Sequence, residues 1–104
     1  MSETRNTYQE FELIDGTVVK LTLTFGKLNL LKSVKNGLYE RYCKIMFGKS
    51  EDMLDMATII YVAYWCANFG AEKVYTEEEF IELVPFDLVE IQRVYTALIQ
   101  PKKK

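Results

Sequence analysis

The segment from Met53 to Phe69 constrains the fold more than any other part of this 104-residue chain. Only Asp55, Thr58 and Asn68 interrupt its run of apolar and aromatic residues. A surface helix normally has one apolar stripe, and a helix that is apolar on all sides is buried on all sides. Since a chain of this length has few elements with which to surround such a helix, we expect part of its surface to meet another molecule.

A helical wheel divides this segment into two sides. The expected core side carries six residues: Met53, Met56, Ala57, Ile60, Tyr64 and Ala67. The opposite side begins with four polar residues: Glu51, Asp52, Asp55 and Thr58. It then continues through four apolar residues: Val62, Trp65, Cys66 and Phe69. Either neighbouring helices of the same chain cover these last four side chains, or they contact a partner or another subunit, as clustered surface aromatics usually do.

A membrane span fits this segment less well than either of these interpretations. Its uninterrupted apolar run, Ile59 to Ala67, is far shorter than the ~20 residues that a bilayer requires, and Asp55 would lie in lipid. Asp55 has two other interpretations: an acid of the first helical turn that faces solvent, or a partner for a lysine or arginine of a neighbouring subunit.

The composition indicates one globular domain over 1–104, with flexible ends at 1–6 and 101–104. Hydrophobic residues make up 49% of the chain and charged residues 27%, which is unlike a disordered protein. The net charge is −2, so there is no basic footprint for nucleic acid. The basic cluster Lys102–Lys104 is interpreted as a solvated tail, because three lysines are a weak signal for nucleic acid or lipid.

No signal peptide is visible, because the polar N-terminus has no apolar stretch behind it. Cys43 and Cys66 are too few for a disulfide framework, and they fit a reducing cytoplasm as small core or interface residues.

Asp15-Gly16 between two alternating segments predicts a β-hairpin with strands at about Tyr8–Ile14 and Thr17–Thr24. A two-residue loop would place the apolar residues of the two strands on opposite faces. A three-residue loop over 14–16, with Gly16 in a left-handed bulge, pairs Phe11 with Val19 and places both apolar sets on one face. We therefore expect the three-residue loop.

The rest of the chain predicts about five helices around the apolar central one, so the fold class is α+β and mostly α-helical. The first two are expected over Lys27–Lys35 and Leu38–Phe47, ending at Asn36-Gly37 and Gly48. Ser50 is the expected cap of the central helix, and Gly70 its end.

Capping patterns predict the starts of the last two helices. Thr76 and Glu79 form a capping box with Tyr75 and Phe80 as a hydrophobic staple. Asp87 opens the last helix, with Phe86 and Ile91 as its staple. The expected buried stripe of this helix consists of Leu88, Ile91, Val94, Tyr95, Leu98 and Ile99.

The residue types that carry most catalysis and metal binding are scarce. The chain has no histidine, and two distant cysteines do not match the spacing of a zinc site. The segment 43–50 ends in Gly-Lys-Ser like a phosphate-binding loop, but Cys43 stands where that loop needs its first glycine, and a helix precedes it instead of a strand. We interpret Gly48 as a helix stop and Ser50 as a cap. We therefore predict no enzymatic activity, no cofactor and no metal.

The order of these parts resembles a known family. A hairpin leads into Thr-Phe-Gly-Lys-Leu-Asn-Leu-Leu (24–31), followed by an apolar helix, Tyr-Thr-Glu-Glu-Glu-Phe-Ile-Glu-Leu-Val (75–84), a last helix and a lysine-rich end. Over about residues 8–104 this resembles the tail assembly chaperones of long-tailed phages of Gram-positive bacteria, most closely the tape-measure chaperones of lactococcal siphophages. These motifs are patterns of apolar and acidic residues, so no functional residue is carried over.

The resemblance implies a self-associating protein that forms rings or spirals in the host bacterial cytoplasm. Such proteins coat the hydrophobic, helical tape-measure protein until tail-tube subunits replace them, and they are not retained in the mature virion. The family also implies a longer, frameshifted form of the same product. No nucleic acid or membrane partner is expected. Two other classes stay open: a structural virion or head–tail connector subunit, and a small cytoplasmic adaptor or regulator unrelated to phage.

Overall fold

A computed structural model describes residues 8–50 and 52–99 of the chain. In this part an antiparallel hairpin precedes five helices: β1 (Gln9–Glu12), β2 (Val18–Leu21), α1 (Phe25–Val34), α2 (Asn36–Gly48), α3 (Met53–Asn68), α4 (Glu77–Leu83) and α5 (Leu88–Ile99). The arrangement confirms the predicted α+β, mostly helical class. The expected flexible ends, the lysine tail and Glu51 lie outside the described residues.

The hairpin has the predicted register and loop. Phe11 lies opposite Val19, and the Leu13 N–H donates to the Thr17 carbonyl at 2.8 Å. The intervening loop is three residues long, and Gly16 has a φ of +89°, a left-handed conformation that suits glycine. The strands themselves are shorter than predicted. The side chains of Phe11, Leu13 and Val19 are buried on one face, as expected.

Helix α3 lies at the centre, and its ten residues from Ala57 to Cys66 are all buried. It contacts β2 and each of the other four helices. The hairpin is tied to it directly, because the Thr22 N–H donates to the Ala63 carbonyl at 3.1 Å and Asn68 Nδ2 donates to the Lys20 carbonyl at 3.1 Å. The same chain therefore surrounds the apolar helix along most of its length.

The ends of α2 and α3 differ from the prediction. Helix α2 continues through Gly48, and Lys49 adopts the left-handed conformation with a φ of 55°. The cap of α3 is Asp52, whose carboxylate accepts from the Leu54 N–H at 2.7 Å. Ser50 lies two residues earlier, where its hydroxyl accepts from the Asp52 N–H and donates to the Asp55 carboxylate. The Asp52 carboxylate, two residues after the expected cap, was the better-placed acceptor.

The capping predictions for the last two helices are confirmed, but the burial of α5 is narrower than expected. Thr76 and Glu79 form both bonds of the capping box, and the Asp87 carboxylate accepts from the Glu90 N–H at 3.1 Å. Ile91, Val94 and Tyr95 are buried and Leu98 is half-buried, whereas Leu88, Ile99 and Phe86 are exposed. The predicted stripe is wrong at its ends, and exposed Phe86 does not form the expected staple with Ile91.

Candidate functional site

The structure buries three of the four residues that the sequence suggested for partner contact. Val62 and Cys66 are fully buried and Trp65 is 3% exposed, whereas Phe69 is 45% exposed. Other elements of the same chain pack against this side of α3. For these three side chains, this agrees with the first interpretation, in which neighbouring helices of the same chain cover them. In the single chain, Phe69 alone of the four lies at the surface, and its contact with a partner stays a prediction.

Phe69 and Trp65 nevertheless belong to one surface feature, an open groove of about 870 Å³ that we call the Trp65 groove. Its lining comes from the end of α1, the start of α2, the second half of α3, the segment that follows α3 and the first residue of α4: Val34, Lys35, Gly37, Leu38, Arg41, Tyr61, Trp65, Phe69, Gly70, Val74, Tyr75, Thr76 and Glu77. The rings of Trp65 and Phe69 are 4.8 Å apart between centroids. The floor is thus aromatic and part of the core, and Phe69 is its exposed edge.

One wall of the groove is held by two tyrosine hydroxyls. The Tyr61 hydroxyl donates to the Tyr75 carbonyl at 3.0 Å, and the Tyr75 N–H donates to the Tyr64 hydroxyl at 2.8 Å. Tyr61 and Tyr64 project from the buried helix, so both backbone groups of Tyr75 are fixed to the core. The segment between α3 and α4 therefore forms a defined wall.

An ion pair crosses the rim and joins α2 to α4. Both terminal nitrogens of Arg41 donate to the two carboxylate oxygens of Glu77, at 2.8 and 2.7 Å. These bonds to Glu77 raise the pKa of the Arg41 guanidinium. A bidentate pair of this kind satisfies both charges within the chain. The rim consequently offers no unpaired carboxylate or guanidinium from this pair to a ligand, and Lys35 supplies a further positive charge.

The groove floor is electrically neutral over the physiological range. Burial raises the pKa of the Tyr61 hydroxyl to about 12, and it also raises the pKa of the Tyr64 hydroxyl. Beside the floor, burial raises the pKa of the Cys66 thiol to about 12. Groups in this state do not act as nucleophiles or general bases near neutral pH. The aromatic floor therefore offers apolar contact, and the charges of the groove lie on Lys35, Arg41 and Glu77.

Sequence reasoning missed most of the groove walls. Arg41 and Glu77 are 36 positions apart, and Leu38 and Val74 come from opposite sides of α3 in the chain. No local pattern connects residues so distant, so their meeting is a property of the tertiary fold. The position of Tyr75 before the capping box predicted a hydrophobic staple. It did not indicate that the hydroxyls of Tyr61 and Tyr64 bind the Tyr75 backbone.

The remaining sequence candidates lie within ordinary secondary structure. Cys43 to Gly48 belong to α2, and the Gly-Lys-Ser ending is the left-handed turn at Lys49 followed by the Ser50–Asp55 contact. Cys43 and Cys66 are free thiols. Within 8–50 and 52–99, no three cysteine or acidic side chains converge as a metal site would need. Among the helices described here, none is long and apolar enough to cross a membrane.

Comparison with known proteins adds no constraint on these surfaces. No protein-family model, curated protein or solved structure matches the chain. The interpretation of the Trp65 groove therefore depends on its geometry.

Proposed function

We propose that this chain is a phage tail assembly chaperone that self-associates and binds the helical tape-measure protein in the Trp65 groove. In this role it keeps the client soluble in the host bacterial cytoplasm until tail-tube polymerisation displaces it, and it is absent from the mature virion. The observation that carries the proposal is an open apolar groove with an aromatic floor, a fixed wall and a rim ion pair that is satisfied internally.

A groove of this kind suits an amphipathic helix. Helix-in-groove recognition places the apolar side chains of a helix into a hydrophobic channel between elements of the receptor. Phe69 and the aromatic floor offer apolar contact that does not require a precise orientation of the bound side chains. This property suits a client whose sequence varies along its length. The tape-measure protein would repeat the same kind of apolar stripe many times, so many weak contacts would add through multivalency.

The electrostatics of the groove favour release as well as binding. Arg41 is already paired with Glu77 on the partly exposed rim, so the client need not supply a partner for either charge. An apolar contact without a charge clamp has modest affinity per copy, and tail-tube subunits can then displace the copies one after another. Without any chaperone the apolar stripe of the client would stay exposed and would aggregate.

Co-expression with the tape-measure protein encoded beside the gene tests the proposal. The wild-type chain should keep that protein in the soluble fraction. Phe69→Ser should return it to the insoluble fraction, whereas Val18→Ser, at an exposed position of the hairpin that does not line the groove, should behave as wild type. A client that is equally insoluble with and without the wild-type chain would refute the proposed function.

Mass spectrometry of purified virions separates the chaperone from the structural alternative. A chaperone should be absent as a stoichiometric component, because tail-tube subunits replace it. Many copies per tail would identify a structural or connector subunit instead. A gene that lies apart from tail-tube and tape-measure genes would favour the adaptor class.

A further inference from the structure

The start of α5 carries a compact apolar projection that nothing in the described chain covers. We call it the Phe86 knob, and it consists of Phe86, Leu88 and Val89. Phe86 is 86% exposed, Val89 is 79% exposed and Leu88 is half exposed. The backbone beneath is fixed, because the Asp87 N–H donates to the Pro85 carbonyl at 2.9 Å and the Asp87 carboxylate caps α5. The knob is therefore a defined shape.

A second groove of about 440 Å³ lies between α1 and α2, and none of the residues in 8–50 and 52–99 occupies it. We call it the α1–α2 groove, and its apolar lining consists of Phe25, Leu28, Tyr39, Tyr42, Met46 and Phe47. Phe25 and Phe47 are 92% and 83% exposed. Leu98 and Ile99, at the end of α5, lie beside the same lining residues. Two exposed phenylalanines on the rim of an apolar groove indicate a binding surface.

The knob and the groove lie at opposite ends of α5. This helix has 12 residues, which at 1.5 Å per residue separates its ends by roughly 18 Å. A knob at the first turn cannot reach a groove at the last turn of the same rigid helix, but the knob of a neighbouring copy can. The geometry points to head-to-tail self-association, in which the Phe86 knob of one copy occupies the α1–α2 groove of the next.

The distribution of charge supports this pairing over the alternatives. Outside the Arg41–Glu77 pair, residues 25–49 carry five basic side chains (Lys27, Lys32, Lys35, Lys44 and Lys49) and one acid, Glu40. Outside that pair and the Glu90–Arg93 pair, residues 76–93 carry four acidic side chains (Glu78, Glu79, Glu82 and Asp87) and no basic one. Groove against groove would oppose two basic surfaces, and knob against knob two acidic ones. Knob against groove brings opposite charges together.

The exposed apolar area of the groove rim is a substantial part of what a stable contact requires. If a phenylalanine side chain has roughly 200 Å² of surface, Phe25 and Phe47 together expose about 350 Å² at their observed exposures. That is nearly half of the ~800 Å² per partner in a standard interface, before Leu28, Tyr42 and Met46 are counted. Because knob and groove are different surfaces, every added copy leaves one of each free, and the contact repeats into a ring or a spiral.

This inference deepens the self-association that is part of the proposed function, and a complementation experiment tests it. Phe86→Ser removes the knob and keeps the groove, whereas Phe47→Ser alters the groove and keeps the knob. Both side chains are exposed, so both variants should fold like wild type, as checked by urea unfolding. Sedimentation velocity should show wild-type complexes larger than a dimer, and each variant should weaken association by about 30-fold, the loss typical of a hot spot.

A mixture of the two variants gives the decisive result. One intact knob and one intact groove remain in the mixture, so it should form a 1:1 dimer that cannot grow. Phe25→Ser should replace Phe47→Ser in this mixture with the same outcome. The inference is overturned if the wild-type chain stays monomeric at high concentration, if either variant assembles like wild type, or if the mixture stays monomeric.

Cys43 gives a direct report on the groove, because it lines the groove while Cys66 is buried. Alkylation of Cys43 should slow as wild-type concentration rises, and it should stay fast for Phe86→Ser. The matched control is Val18→Ser, at an exposed hairpin position outside both grooves, which should keep normal assembly. A client that stays insoluble beside an assembling wild-type chain would refute only the client site, whereas normal assembly of the Phe86 and Phe47 variants would refute only this inference.

Discussion

Removing the Tyr64 hydroxyl tests whether the wall of the Trp65 groove is held as the structure describes. Tyr64→Phe deletes the oxygen that accepts from the Tyr75 N–H at 2.8 Å and leaves the buried ring in place. A donor left without its partner costs about 1–3 kcal/mol. Tyr61→Phe removes a donor to the Tyr75 carbonyl instead. Carbonyls tolerate a missing partner better than N–H groups, so its expected cost is about 1 kcal/mol.

Two measurements detect the loss of the hydrogen bond between the Tyr75 N–H and the Tyr64 hydroxyl. Urea unfolding should show a lower midpoint for Tyr64→Phe than for Tyr61→Phe. Amide exchange of Tyr75, measured by NMR, should accelerate in Tyr64→Phe by about 5- to 150-fold, which is the same 1–3 kcal/mol expressed as an equilibrium constant. The wall should then open more often, and the affinity of the groove for a client helix should fall with it.

Tyr75→Phe is the matched control, because it keeps both backbone groups and changes only the hydroxyl of Tyr75 itself. It should leave the exchange of residue 75 and the urea midpoint close to wild type. If the Tyr75 amide exchanges at the same rate in Tyr64→Phe and wild type, the hydroxyl does not hold the wall and the reasoning is wrong.

Three further predictions follow from the core and the caps. Trp65→Ala should lower the free energy of unfolding by ~3–5 kcal/mol in urea titrations, because Trp65 is buried under the groove; a loss below ~1 kcal/mol would place it outside the core. Lys49→Gly should raise stability by about 0.5–1 kcal/mol, because Lys49 has a φ of 55° that glycine adopts without strain; Lys44→Gly, inside α2, should instead lower it. The free energy of unfolding, measured in urea titrations, should fall as pH rises from about 9 to about 12. Burial raises the pKa of Cys66 from 9.0 to about 12 and that of Tyr61 from 10.0 to about 12, so the unfolded chain loses these protons first. In Cys66→Val the fall should begin nearer pH 10.

Local patterns predicted the features that depend on neighbours in sequence. The register of the hairpin follows from alternation and from the need for one apolar face, and Phe11 opposite Val19 is the result. The capping box at Thr76 and the cap at Asp87 are equally local, since each is closed within three residues. These contacts form whenever the segment forms, so the sequence around them is sufficient.

Features that depend on distant packing were not predictable in the same way. The wheel correctly marked Val62, Trp65 and Cys66 as apolar residues on an otherwise polar side, but it held no information on whether α3 is covered by its own chain. The prediction that Leu88 and Ile99 are buried, at the two ends of α5, was wrong for a related reason. A stripe at helical spacing continues through Leu88 and Ile99, yet the core that it faces is shorter than the helix, so both ends project beyond it.

Helix α2 relates the two grooves, because it lines both with different faces. Leu38 and Arg41 face the Trp65 groove, whereas Tyr39, Tyr42 and Met46 line the α1–α2 groove. Under the proposed function, a client helix and a neighbouring copy would therefore occupy one subunit at the same time. Assembly would then place successive Trp65 grooves along one client. Because coupling between two binding events is reciprocal, a client long enough to span several copies would in turn stabilise the assembly.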